Sequence, residues 1–378
     1  MAFASNDRPQ PSAARTVAVD LALLIAAFLV AEGLLRLLAP QPLHTLLRNV
    51  YEVREDGFRY RPGAEALCNN GYGDHHFAIN SWGARDREYG PKQPGEWRLL
   101  CLGDSFSDNQ ALEVDEIYPN VLEARLNAER PEAKAVSVVN GGMAGWGLWD
   151  YHDYLMEMLA RIRPDVVVVA VGAAGDLVKS ARHPPPVAVT LRTGLPVSAN
   201  ASLAARIKWG LWYGNQLLKD HSHAYVALRR LTYYPGLWLG VTKVPRFSHL
   251  ITDPAAAARV VEPTTTLLRQ IKAVCEAHSV RLVILNVPRI YEVDADARRM
   301  KIELERPDLT QFDITRPARL LRAIATEVGI PLCDPTTDLA IAPEPTYFPE
   351  FAHWNIEGNR VVADGLRHLL AAEGLLPP

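Results

Sequence analysis

Several residues whose side chains or backbone amides could take part in catalysis lie directly after apolar, strand-like runs or directly before a helical pattern. They are Ser105, Asn140, Gly145, Gly175, Asp176 and His353. A serine hydroxyl is a weak nucleophile until a base takes its proton, and the intermediate that it forms needs donors for an oxyanion. A histidine and backbone amides can meet both needs. Taken singly, each residue also has a structural explanation, because Gly-Asp-Ser and Asn-Gly-Gly are common turns and a histidine can cap a helix.

A regular alternation of strands and helices is predicted from residue 96 onward. The predicted strands are 97–102, 135–139, 165–171, 281–287 and 330–333, and the predicted helices are 118–129, 149–162, 265–278, 318–328 and 356–372. The almost unbroken valine run of 165–171 is typical of a strand covered on both faces. The alternation predicts a doubly wound, flavodoxin-like α/β domain with a parallel sheet over 96–378. Ligands bind beyond the carboxyl ends of such strands, where the candidate residues fall.

Two stretches depart from this alternation. Residues 40–95 consist of short polar, Gly and Pro clusters and predict an irregular lead-in region. Residues from about 177 to 255 predict a helical insertion. Its aromatic residues are Trp209, Trp212, Tyr213, Tyr233, Tyr234 and Trp238. These rings either line a substrate cleft or pack the insertion on the main domain.

The N-terminal region predicts a membrane anchor. A polar tail, 1–15, precedes an apolar run over 16–39 whose charge-free centre lies between Asp20 and Glu32. A helix of that length crosses a hydrocarbon layer of about 30 Å. Arg8 and Arg15 favour an N-terminus in the cytoplasm, which predicts a single-pass protein of the inner (cytoplasmic) membrane with its domain outside the cytoplasm. A cleaved signal peptide and an amphipathic helix docked on the domain are the alternatives.

Composition excludes several other classes. The formal net charge of -3 arises from 40 basic and 43 acidic residues without a long basic block, so a nucleic-acid partner is not expected. The four cysteines lack C-x-x-C spacing, and neither a Walker loop nor a GxGxxG motif follows a strand. No metal and no cofactor is therefore expected. Protein partners are left open.

The order of the candidate blocks resembles that of the SGNH/GDSL hydrolases from roughly Phe77 to the C-terminus. The similar blocks are 98–109 (RLLCLGDSFSDN), 138–147 (VVNGGMAGWG), 347–358 (YFPEFAHWNIEG) and, as in bacterial members with one N-terminal membrane helix, 79–86 (INSWGARD). The resemblance implies an SGNH-type fold in which Ser105 is the nucleophile and His353 is the base. It also implies that the amides of Ser105 and Gly145 bind the oxyanion.

Two positions depart from the family's pattern. Within 164–180 the place of the family's oxyanion Asn falls on Gly175, so a side-chain donor is missing, and Asn109 is the candidate substitute. The family places an Asp two or three residues before the catalytic His, where this chain has Phe351 and Glu350. Glu350 either orients the His353 imidazole or is a solvated turn residue.

The resemblance implies a serine esterase or O-acyltransferase that acts on small acyl, often acetyl, esters. The expected substrate is an ester-bearing carbohydrate or lipid of the cell envelope, and either water or a sugar hydroxyl would take the acyl group. Two alternatives follow from the departures at the oxyanion and acid positions. The protein would then be a catalytically impaired SGNH-like protein that binds a glycan, or a scaffold in a polysaccharide assembly.

Overall fold

The computed structural model describes most of the chain. The described residues are 13–41, 43, 47, 49–54, 57–69, 72–129, 136–181, 189–191, 196–198, 202–238, 247–349 and 352–376. Most of the predicted N-terminal tail and both candidate acid positions, Glu350 and Phe351, lie outside these residues.

Helices and strands alternate through the main domain. The strands are β1 Tyr51–Arg54, β2 Gly57–Tyr60, β3 Glu65–Asn69, β4 Asp74–Ala78, β5 Trp97–Gly103, β6 Val136–Gly142, β7 Val166–Val171, β8 Val189–Leu191, β9 Pro196–Ser198, β10 Arg281–Asn286 and β11 Leu332–Cys333. The helices are α1 Ala13–Leu38, α2 Ser105–Asp108, α3 Tyr118–Ala128, α4 Leu148–Ile162, α5 Ala173–Ser180, α6 Leu203–His221, α7 His223–Trp238, α8 His249–Thr252, α9 Pro254–Ala277, α10 Ile290–Val293, α11 Ala295–Glu305, α12 Arg316–Val328, α13 Thr336–Ile341 and α14 Ile356–Ala372. A 3₁₀ turn covers Val114–Glu116.

A parallel sheet forms the centre of the domain. Within the described residues it has five strands in the order β6-β5-β7-β10-β11, which is 2-1-3-4-5 by position in the chain. The side chains of β7 are all buried. Alternate residues face α4, α9 and α12 on one side and α3 and α14 on the other. The predicted doubly wound, flavodoxin-like sheet is therefore confirmed.

Some element boundaries differ from the prediction. Helix α9 begins eleven residues before the predicted start, because the Asp253 carboxylate accepts the Ala255 amide and Pro254 fits the first helical turn. Helix α11 was not predicted. It buries no residue, so its sequence carries no apolar period, and its start is fixed by the Asp294 side chain bonded to the Ala297 amide.

The lead-in region contains more regular structure than the sequence predicted. Strands β1 and β2 form one antiparallel hairpin and β3 and β4 form another. The strands are short, which weakens any period-2 signal. The ring of Tyr60 and the ring of Phe77 are buried against each other with centroids 5.4 Å apart. This region is thus part of the domain core.

The N-terminal helix contains an apolar segment, Arg15–Leu38, that is long enough to cross a bilayer, and none of its most apolar window is buried in the protein. A signal sequence has the same length and composition. Helices α6 and α7 of the predicted insertion form a hairpin, and α7 packs against α1. The rings of Trp209 and Tyr213 stack on each other within α6. The side chains of Tyr233, Tyr234 and Trp238 lie outside the description.

Candidate active site

Ser105 and His353 are brought together from positions 248 residues apart in the chain. The distance from Ser105 Oγ to His353 Nε2 is 2.8 Å, a hydrogen bond. Ser105 begins α2 at the carboxyl end of β5, and His353 lies in the turn before α14. The ring of Phe106 stacks on the imidazole with centroids 4.4 Å apart. This is the contact that a serine nucleophile needs with its base.

Helix α2, which begins at Ser105, is held by a side-chain cap and by tight contacts with the ends of two strands. The Asp104 carboxylate accepts the amide of Phe106 at 3.0 Å and caps the helix. Any β-carbon at Gly103 would stand 2.1 Å from the hydroxyl oxygen of Ser107, and one at Gly142 would stand 2.4 Å from the β-carbon of Ser107. Only glycine fits at both strand ends, so the Gly-Asp-Ser and Asn-Gly-Gly motifs meet through this contact.

The buried Arg85 supports the segment that follows the nucleophile. Its guanidinium donates to the carbonyl oxygens of Asp108, Asn109 and Leu112. The same guanidinium lies over the Phe77 ring, 4.7 Å from its centroid. The INSWGARD block was noted in the sequence only as a resemblance, and this role of its arginine depends on contacts that sequence spacing does not reveal.

The adjacent Asp86 supports the second block. Its carboxylate accepts the Asn140 amide at 2.7 Å and the Tyr89 hydroxyl at 2.8 Å. Burial raises the pKa of Asp86 to about 6, against the opposing effect of these hydrogen bonds. Arg85 and Asp86 therefore connect the lead-in region to both the nucleophile segment and the end of β6.

Gly145 lies in the turn after β6 with a φ of +90°, a conformation that suits glycine. Lys179 holds this turn from α5, donating from Nζ to the Trp146 carbonyl at 2.7 Å and the Gly145 carbonyl at 3.5 Å. The Asp176 carboxylate in turn accepts from Lys179 at 3.1 Å and from the Gly172 amide at 2.9 Å. Asp176 is buried, and burial raises its pKa. The two residues position the turn that carries the predicted oxyanion amide.

Asn109 connects the segment after Ser105 to the turn that contains His353. Its amide nitrogen donates to the carbonyl of Trp354 at 2.8 Å, and the residue is fully buried in a left-handed conformation at the end of α2. The bond joins the nucleophile segment to the turn that carries His353. A role for Asn109 as oxyanion donor stays a prediction.

Gly175 lies in the first turn of α5, and its missing side chain leaves room for an arginine from another element. The Nη2 atom of Arg289 is 3.2 Å from the point where a β-carbon of residue 175 would stand. Arg289 follows β10 at the same sheet edge as Ser105, and the sequence did not single it out. Glu350 lies outside the described residues, so its contact with His353 stays a prediction.

Among the described residues, no group of three or more His, Cys, Asp and Glu side chains is arranged to hold a metal ion.

No protein-family model and no curated protein matches the chain. Several solved structures align with most of it. The psychrotrophic esterase EstA from Pseudoalteromonas sp. is 11% identical, with 73% of this chain and 97% of that chain covered and a TM-score of 0.39. The lipase/acylhydrolase from Enterococcus faecalis is 13% identical, with 73% and 96% covered and a TM-score of 0.39. A catalytic mutant of the acetylxylan esterase Axe2 from Geobacillus stearothermophilus is 14% identical, with 74% and 96% covered and a TM-score of 0.39.

Proposed function

We propose that this protein is a serine esterase or O-acyltransferase with Ser105 as nucleophile and His353 as general base. The 2.8 Å contact between Oγ and Nε2 carries the proposal. His353 takes the hydroxyl proton as Ser105 attacks an ester carbonyl, and the protonated imidazole returns that proton to the departing alcohol. Water or a sugar hydroxyl then attacks the acyl-enzyme and gives its proton to His353, which passes that proton to Ser105 Oγ as the bond between the acyl group and the serine breaks.

The remaining roles are part of the same proposal. The amides of Ser105 and Gly145 bind the oxyanion, and Lys179 keeps the Gly145 turn in place. Glu350 orients the imidazole by accepting a hydrogen bond from the N–H at Nδ1. Helix α1 anchors the enzyme in the cytoplasmic membrane with its domain outside the cytoplasm. The substrate is a small acyl ester, such as acetyl, on an envelope glycan or lipid.

The test is hydrolysis of p-nitrophenyl acetate by the full-length protein in mild detergent. We expect Ser105→Ala to lose turnover and also labelling by a fluorophosphonate. The matched control is Ser202→Ala, at an exposed serine before α6, which should keep both. Background rates in all three proteins without labelling of Ser105 would favour the alternative of a glycan-binding or scaffold protein.

A further inference from the structure

Arg289 brings a guanidinium to the sheet edge at which Ser105 lies. The Nη2 atom stands beside Gly175, and its distance from the corresponding β-carbon point of Gly172 is 3.8 Å. Among the described residues the guanidinium has no hydrogen bond, and the amide of Arg289 is the group that donates to Glu292. Within the part of the chain that the structure describes, the Arg289 charge interacts with the Glu292 carboxyl but its N–H donors form no hydrogen bond.

Arg289 also packs against Phe106, whose ring stacks on the proposed base, His353. Its guanidinium carbon is 5.4 Å from the centroid of Phe106, and Phe106 stacks on His353. Since His353 bonds Ser105, three successive contacts join the guanidinium to the reacting hydroxyl. A larger residue at 175 would meet Nη2 at 3.2 Å, so glycine there and arginine at 289 are complementary in volume.

We propose that Arg289 supplies the side-chain donor to the oxyanion that Gly175 cannot provide. The proposal rests on the proposed serine chemistry at Ser105. An oxyanion forms on the carbonyl oxygen when the Ser105 oxygen bonds the carbonyl carbon, and it disappears when the alcohol leaves. Arginine stays protonated throughout, and a charge-assisted bond to an anion is stronger than one from a neutral amide. Arg289 therefore stabilises the transition state more than the neutral ester.

The experiment compares Arg289→Met and Arg289→Lys with the wild type in p-nitrophenyl acetate hydrolysis and fluorophosphonate labelling. Methionine keeps the packing against Phe106 but removes the donors. We expect kcat to fall by roughly 10²- to 10³-fold in Arg289→Met with KM little changed, and by less in Arg289→Lys. The matched control is Arg281→Met, at the exposed start of the same strand.

A rescue variant separates this role from a structural one. Adding Gly175→Asn to Arg289→Met introduces an amide donor in the space that the guanidinium leaves, and should recover at least about tenfold in kcat. An unchanged kcat in Arg289→Met, with Ser105→Ala inactive, would overturn the Arg289 proposal alone. A rise in KM without loss of kcat would also overturn it. Turnover that survives in Ser105→Ala would overturn the proposed function and this proposal together.

The turn between α6 and α7 is bound to the N-terminal helix by two charged residues. The Glu32 carboxylate accepts the amides of His223 at 3.1 Å and Ala224 at 2.8 Å, at the start of α7. Arg36 donates to the carbonyl of His221 at 2.6 Å, at the end of α6. Each charge is complementary to the dipole of the helix end that it meets. The hairpin is thereby fixed near the C-terminal end of α1.

The hairpin exposes an apolar surface. Leu203, Ile207 and Leu211 lie four residues apart on α6 and are 75%, 57% and 73% exposed. On α7, Leu228 and Leu231 are 54% and 76% exposed. The exposed Trp212 and several basic residues accompany them, namely Arg206, Lys208, Arg229 and Arg230. Apolar stripes with tryptophan and basic neighbours are typical of helices that lie in a membrane interface.

We infer that the α6–α7 hairpin lies in the headgroup region of the bilayer that α1 crosses. The inference rests on α1 being a membrane span. Glu32 follows Arg15 by 17 residues, a rise of about 26 Å at 1.5 Å per residue, which is close to the thickness of the hydrocarbon layer. The turn bound to Glu32 is therefore at the far interface, where the adjoining apolar stripe meets lipid rather than water.

The test uses the full-length protein in vesicles of phosphatidylethanolamine and phosphatidylglycerol. An environment-sensitive fluorophore is attached in turn to Leu211→Cys, Ile207→Cys and Ile341→Cys, the last on the 74%-exposed position of α13. Labels at 207 and 211 should be blue-shifted and quenched by spin-labelled lipid, and the label at 341 should be neither. Retained fluorophosphonate labelling checks the fold of each variant.

A label at Leu24→Cys, in the middle of α1, distinguishes the two ways in which this inference can fail. Quenching at 24 with water-like emission at 207 and 211 would overturn the placement of the hairpin and leave the anchor intact. Water-like emission at 24 as well would overturn the anchor and, with it, the placement of the hairpin.

Discussion

At the scale of single residues, the candidate site depends on buried polar groups that never touch substrate. Arg85 is the clearest case, since three backbone carbonyls at the end of α2 depend on one guanidinium. Leaving buried acceptors without a partner costs about 1 to 3 kcal/mol for each group. Arg85→Met should therefore lower the free energy of unfolding by roughly 3 kcal/mol or more, measured by chemical denaturation. Arg87→Met, at a half-exposed arginine on the same segment, should change it by less than about 1 kcal/mol.

The carboxyl of Glu292 is partly buried and accepts the backbone amide of Arg289. Burial raises its pKa from 4.5 to about 7. Between pH 4.5 and 7 the folded protein therefore holds a proton that the unfolded chain has released, so stability falls as the pH rises through this window. Denaturation at several pH values should show a decrease of up to about 3 kcal/mol in the wild type. In Glu292→Gln this part of the decrease should be absent; an identical pH profile would contradict the assignment.

At the scale of elements, the sequence predicted the helices and strands that have a clear apolar periodicity. Ser105 and His353 were found because each adjoins an element with a strong period, and the β7 valines marked the centre of the sheet. Arg289 and Lys179 were not assigned roles, because their contacts with Gly175 and the Gly145 turn arise only when separate elements converge at one sheet edge. The hairpins at 51–78 and helix α11 were missed for a simpler reason: they are short or bury little, so they leave a weak periodic signal.

Lys179 connects α5 to the turn after β6. Lys179→Met removes the bonds to the Gly145 and Trp146 carbonyls and leaves the aliphatic stem. We expect kcat for p-nitrophenyl acetate to fall about tenfold with KM little changed, because a displaced oxyanion amide weakens one transition-state hydrogen bond. Lys272→Met is the control, since Lys272 likewise donates from a helix to a carbonyl, that of Val328, but away from the site. Equal kcat values in the two variants would mean that Lys179 does not position the turn.

At the scale of the whole molecule, the N-terminal helix predicts on which side of a membrane the candidate site lies. A 24-residue apolar helix with its most apolar window unburied is stable only where lipid or another apolar surface covers it. We expect the full-length chain to remain in alkali-washed membranes with its first residues intact, and alkaline phosphatase fused after Leu376 to be active outside the cytoplasm. Leu24→Arg, at the centre of the helix, adds an insertion cost of about 2.5 to 3.5 kcal/mol and should shift protein to the soluble fraction. A chain that begins beyond residue 38 in the mature protein would instead identify the helix as a cleaved signal, and the enzyme would then act without an anchor.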